Sequence, residues 1–186
     1  MRARYSALVD ISTPLPNLWL LSDQRNDAGL EHALKALPEG SGFIYRHYHL
    51  GDPERWERFR ELRAIAKKCG QLVILSDSAI TAKEWGADGI YGAPRSLWPR
   101  RHGLLDLATA HDLREIGLAN RYRADAVLLS PVFSTRSHPG GSTLGPARFR
   151  MLAARSAAPV IALGGMNEAR AKQLQWDRWA AIDGLS

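Results

Sequence analysis

Short apolar runs recur along this chain: Leu18–Ser22, Phe43–Tyr48, Leu72–Leu75, Gly89–Tyr91, Leu104–Leu107, Ala126–Ser130, Val160–Leu163 and Trp179–Ile182. They are rich in aliphatic and β-branched residues, and several are continuous rather than alternating. A strand with one wet face alternates apolar and polar residues, whereas a strand covered on both faces does not. The runs therefore predict eight buried strands. Helical patterns lie between most of them. Asp27–Leu37 opens on an acidic N-cap and has apolar positions three and four apart. Pro53–Ala66 opens with proline, which a first turn tolerates, and its helix stops at Gly70. Ala110–Ala119 and Gly145–Ala154 carry similar stripes.

Strands alternating with helices leave two architectures, an open doubly wound sheet or a closed (β/α)8 barrel. The count of eight favours the barrel, so the expectation is an α/β chain forming a single TIM-barrel domain over residues 1–186. Such barrels typically take about 250 residues. Ser186 comes directly after the eighth strand, and the last helix is expected to be lacking.

Composition narrows the function. No apolar run approaches the ~18 residues of a membrane span. The opening MRARYSALVDISTPLP breaks its apolar stretch with a charge and two prolines, which argues against a signal peptide and for a cytoplasmic protein. Cys69 is the only cysteine, which excludes an intrachain disulfide and a cysteine-based zinc site. The net charge of +6 suits anionic partners. The basic residues are scattered, however, and no nucleic-acid motif accompanies them, so a small anion is expected and nucleic acid is not.

Two features carry candidate chemistry. Gly164-Gly165 closes the seventh run. Such a pair marks either a turn at positive φ or a close approach to the backbone. In a barrel, phosphate sits after strands seven and eight, which favours the second meaning. Arg46 shares a phase with Ile44 and Tyr48, on the side expected to face inward. An arginine there either pairs with Asp77 or Asp106 or binds an anion. Tyr45, His47 and His49 fall on the other phase or in the loop and are expected to pack against helices. Trp56 and Phe59 share a helix stripe, and Trp176 and Trp179 are expected to cover the space of the lacking helix.

The stretches Ala87–Ile90, Ala124–Thr135 and Pro159–Met166 occur in the order and spacing of the thiamine-phosphate synthases and the related TenI proteins, which the chain resembles over nearly its whole length. Leu18–Asp23 is similar to the first strand of that family. The resemblance implies a barrel that binds a phosphorylated thiazole. The synthases couple this thiazole to hydroxymethylpyrimidine diphosphate with release of pyrophosphate, which requires a metal and a cationic side chain. Arg46 is what remains of the strand-two motif Gln-x-Arg-x-Lys. Ser76-Asp77 replaces Asn-Asp, leaving Asp77 as a weak ligand for Mg2+. The second metal carboxylate is missing from Tyr91–Ser96. Thr135, Arg136, Ser137 and His138 stand where the family has Thr-x-Thr-Lys; with Arg46, Ser130, Gly164 and Gly165 they form the expected substrate and phosphate set. Asp183 replaces a serine and opposes phosphate unless paired or turned away.

Thr109–Asp112 resembles the family's Ser-x-His-Ser. In TenI-type thiazole tautomerases the corresponding histidine, here His111, moves protons without a metal. Alternatively, His111 only bonds the backbone at a helix start, with Thr109 or Asp112 as cap. Three readings follow: a synthase with a degraded metal and pyrophosphate site, a metal-free tautomerase, or a non-catalytic barrel that binds a phosphorylated ligand or a partner. A homo-oligomer is compatible with each.

Overall fold

The computed structural model describes residues 14–136 and 140–185. Ser137 and His138 lie outside the described residues. In chain order the elements are β1 (Leu18–Leu21), α1 (Leu30–Ala36), β2 (Gly42–Tyr45), α2 (Asp52–Lys68), β3 (Leu72–Leu75), α3 (Ala79–Trp85) and β4 (Gly89–Gly92). They continue with β5 (Leu105–Ala110), α4 (Leu113–Arg121), β6 (Ala126–Leu129), α5 (Gly145–Ala153), β7 (Val160–Ala162), α6 (Glu168–Leu174) and β8 (Trp179–Ala181). Each strand pairs with the next in parallel, and β8 pairs with β1. The sheet is a closed (β/α)8 barrel. No helix among the described residues is long and apolar enough to cross a membrane.

Continuous apolar strands are what this closure needs. Along each strand, alternate residues point to opposite faces. Trp19, Leu21, Ile44, Ile74, Leu107, Leu128 and Ile161 fill the interior. Leu20, Phe43, Tyr45, Val73, Leu75, Val127 and Leu129 pack outward against Phe59 and Leu62 of α2 and Phe149 and Leu152 of α5. Trp19 is the largest interior group, and it lies opposite Gly42 in the β1–β2 register. A Cβ at position 42 would stand 2.1 Å from the indole. Glycine leaves the volume that Trp19 fills, while the indole N–H donates to the Pro16 carbonyl at 2.9 Å.

Several expected boundaries move. Asp27 is not an N-cap: Asp23 caps a 3₁₀ turn over Gln24–Gly29, and α1 starts only at Leu30. Strand β5 runs to Ala110, so α4 starts at Leu113, where Asp112 accepts the Glu115 N–H at 2.8 Å. Helices α3 and α6 show no clear apolar stripe: α3 buries only Ala82 and α6 only Ala171 and Leu174, whereas the equally short α1 buries Leu30, Ala33 and Leu34. They are capped by Ser78 and Asn167. Strand β2 ends at Tyr45, and Tyr48 is 68% exposed rather than inward. Tyr45 and His47 are buried as expected, with their rings stacked at 4.6 Å. Trp56 and Phe59 stack on one face of α2. Trp176 packs edge-on against Phe149.

The N-terminal ends of the strands carry a separate ion network. Asp106, near the start of β5, has a side chain only 1% exposed. Arg100 donates to it at 2.9 Å and to both oxygens of Asp125 at 2.7 and 2.6 Å. Burial raises the Asp106 carboxyl above its ordinary value, against the pull of Arg100. Asp106 is therefore at the opposite end of the barrel from Arg46, which excludes the pairing considered above. Removing one partner of a buried pair costs about 3–5 kcal/mol. Partial exposure of the guanidinium should reduce this to about 2 kcal/mol for Arg100→Met. A group whose folded pKa is raised takes up its proton in the folded state first, so lowering the pH favours folding. The deficit in Arg100→Met, read from denaturant melts, should shrink as the pH falls from 7 toward about 4.

Candidate functional site

The C-terminal ends of the strands open on a cavity of about 770 Å³. Arg46, His111, Ser130, Thr135, Arg136, Gly164 and Gly165 all line it. Tyr91, Ser134, Asn167, Arg170 and Asp183 line it as well. Of these, Arg170 escaped sequence reasoning, although the helix-capping Asn167 three residues earlier was a usable signal. Asn167 starts α6 and so brings its first turn, with Arg170, back to the glycine pair.

Both meanings of the glycine pair hold at once. Gly164 and Gly165 have φ of +95° and +61°, where side chains are disfavoured. They are also closely approached, but by the chain itself. A Cβ on Gly164 would lie 2.6 Å from Pro131, and one on Gly165 would lie 2.3 Å from the Ser134 carbonyl. Val132 and Phe133 donate to the carbonyls of Leu163 and Gly164 at 2.9 and 3.0 Å. The loops after β6 and β7 are thus joined. Among the described residues nothing accepts a hydrogen bond from the N–H of Gly164 or Gly165. Arg170 donates to the Gly165 carbonyl, and its guanidinium lies 5.1 Å from the centre of the Phe133 ring.

Arg46 follows β2 and enters the cavity with its charge partly balanced. Nη2 is 3.0 Å from Asp23 Oδ2, and Nε donates to the Ser22 carbonyl at 3.0 Å. Its carboxylate partner is Asp23, neither Asp77 nor Asp106. Burial would raise the Asp23 carboxyl, but hydrogen bonds from Arg25 and the nearby charges of Arg25 and Arg46 hold it below its ordinary value. Arg25 also reaches Asp183 at 3.4 Å, so the acidic residue at the expected phosphate end has a cationic partner. Burial pushes the Tyr91 hydroxyl up to about 12, keeping it a neutral donor.

His111 stands at the cavity wall just past β5, with its side chain 56% exposed. Its Nδ1 lies 2.9 Å from Glu115 Oε2, and its backbone N–H donates to the same oxygen at 2.7 Å. An ionised carboxylate only accepts, so Nδ1 carries the proton and Nε2 is left as the basic nitrogen. The partner is a carboxylate one helical turn along, rather than the backbone, and Asp112 separately supplies the cap.

Asp77 does not line the cavity. Its Oδ2 is 2.5 Å from Arg55 Nη1, and its Oδ1 accepts the Ser78 N–H at 2.6 Å. Burial alone would raise its carboxyl, but these hydrogen bonds and one from Thr81 outweigh that and hold it low. Arg55 itself is buried and donates to the Ser76 carbonyl. A divalent cation at Asp77 would face a buried guanidinium.

A family model described as thiamine monophosphate synthase matches residues 18–184. The chain belongs to that family. A putative thiamine-phosphate synthase 2 from Aquifex aeolicus is 28% identical over 180 residues, covering 92% of this chain and 97% of the relative. A thiamine-phosphate synthase from Chloroflexus aurantiacus is also 28% identical over 180 residues, covering 91% and 82%. The solved thiamine phosphate pyrophosphorylase from Pyrococcus furiosus superposes with a TM-score of 0.74 at 22% identity, over 91% of this chain and 86% of that one. At that identity the likeness establishes the shared barrel.

The glycine geometry makes a prediction that separates strain from crowding. Gly103 also has positive φ, but a Cβ there meets nothing within 4 Å. Gly103→Ala should lose about 1–2 kcal/mol from backbone strain alone. Gly165→Ala adds overpacking of about 1–3 kcal/mol, and chemical denaturation should show the larger loss there.

Proposed function

We propose that this member of the thiamine monophosphate synthase family binds a phosphorylated thiazole and moves protons on it through His111, without a divalent metal. The phosphate is assigned to the open N–H groups of Gly164 and Gly165, with Arg170 and Arg136 as neighbouring cations. Ser130 and Thr135 supply hydroxyls from the loop joined to that pair, and Arg46 and Tyr91 border the same cavity as donors for a second anionic group.

The observation that carries the reading is the His111–Glu115 pair at the wall of the cavity that holds the glycine pair. With Nδ1–H held by the carboxylate, Nε2 removes a proton from one carbon of a non-aromatic thiazole carboxylate phosphate. The imidazolium then returns a proton at another ring position, and the product is the aromatic tautomer with unchanged composition. Glu115 stabilises the transient cation and fixes the ring. Magnesium does not fit Asp77, Asp23 or Asp183. Asp77 is engaged by Arg55, Asp23 by Arg25 and Arg46, and Asp183 by Arg25.

In a tautomerisation assay with EDTA present, His111→Ala should lose roughly 10²–10⁴ in rate while binding the thiazole phosphate with nearly unchanged affinity. Glu115→Gln should lose less, because the ring then lacks its anionic partner but keeps a hydrogen-bond acceptor. Wild-type protein that binds the phosphate but turns nothing over would make it a passive binder. Magnesium-dependent release of pyrophosphate from the pyrimidine diphosphate would restore the synthase reading.

A further inference from the structure

Beside the mouth lies a smaller cavity of about 190 Å³, bordered by Ser22, Arg46, His47 and His49. At its edge, ligand atoms of Asp27, His47 and His49 all lie within 4.8 Å of one another. Asp27 comes from the 3₁₀ turn after β1, and the two histidines come from the loop after β2.

His47 is the informative member. Its side chain is fully buried, and Nε2 faces Asp27 Oδ1 at 2.8 Å, a gap that a shared proton closes in the metal-free chain. The other ring nitrogen, Nδ1, is 2.8 Å from Ser22 Oγ. When Nδ1–H is given to that hydroxyl, the Nε2 lone pair is open to a metal ion, which then takes the proton's place beside Asp27. A ligating histidine commonly has this arrangement, with its second nitrogen fixed by an outer partner.

Arg58 opposes a cation here as Arg55 does at Asp77, but its charge is outnumbered. Arg58 donates to Asp27 Oδ1 and to its backbone carbonyl, leaving Oδ2 without a hydrogen bond among the described residues. The Arg58 charge is met in turn by Glu31 at 2.5 Å and Glu61 at 3.4 Å. Three carboxylates therefore surround one guanidinium beside two histidines. We propose that Asp27, His47 and His49 form a binding site for a zinc-class divalent transition metal, completed by water from the small cavity. Two imidazoles and one carboxylate are a donor set for zinc rather than for magnesium. Donors on a tetrahedral zinc sit about 3–3.5 Å apart, given bonds of about 2.0–2.2 Å. The exposed His49 ring, now 4.9 Å from that of His47, is free of the packing that fixes its partner and can close the gap. The bound ion would tie the first two loops of the mouth together.

The test uses the full chain after EDTA treatment, with Zn2+ alone followed by calorimetry and thermal melting, and Co2+ followed by its visible absorption. Wild type should bind one Zn2+ in a saturable step that raises the melting temperature, and Co2+ should give the intense bands of a four-coordinate ion. His49→Ala, at an exposed position, should weaken Zn2+ binding by about tenfold or more and abolish the rise. Even loss of an outer-shell partner costs that much. Asp27→Asn should weaken it similarly, whereas the exposed His32→Ala should not. No saturable binding to wild type, a loss below tenfold in His49→Ala, or an equal loss in His32→Ala would overturn the site.

Discussion

Eight short parallel strands cover both of their faces here by closing on themselves beneath a ring of helices, and every other feature of this molecule depends on that closure. The outer face is covered by helices, α2 and α5 in particular, with Phe59 and Phe149 as their largest fully buried contacts. The inner face can be covered only by side chains of the strands themselves. Trp19 supplies the bulk, and Gly42 makes way for it. A barrel of three- to six-residue strands has little length to spare, so the side chains just past the strand ends form the floor and walls of the cavity above.

Charge is managed differently at the two ends. At the N-terminal end Arg100 is fully committed to Asp106 and Asp125, and Lys67 to Asp88. That end reads as stability. At the C-terminal end the pairs are built from neighbouring loops: Arg46 with Asp23, Arg25 with Asp23 and Asp183, Arg55 with Asp77. They fix loop geometry while leaving Arg136 and Arg170 at the cavity wall near the glycine pair. A phosphate would therefore meet backbone N–H groups held rigidly by the β6 and β7 loops, an arrangement that requires little reorganisation on binding.

The same bookkeeping of partners separates the candidate chemistries. Acid–base work needs one oriented imidazole near the ligand, and His111 has its orienting carboxylate in Glu115. Metal-assisted displacement needs carboxylates free for the ion. Asp77 retains its place after β3 but gives both oxygens to other donors. Identity at a motif position is thus a weaker guide than the partners that surround it.

The pattern of residues along the chain favoured the barrel over an open doubly wound sheet, because a strand buried on both faces is continuously apolar and there are eight such runs. It also marked Arg46, His111, Ser130, Thr135, Arg136, Gly164 and Gly165, which follow or end strands and so fall at one mouth. It could not assign partners. Asp23 rather than Asp77 or Asp106 meets Arg46, and Glu115 meets His111, because ion pairs depend on where loops of different strands converge. It missed α3 and α6, which bury too few apolar residues to show a stripe, and with α6 it missed Arg170. Nor could it give Gly164 and Gly165 their double constraint. Positive φ is a local property that glycine announces, but the crowding by Pro131 and Ser134 exists only once β6 and β7 lie side by side.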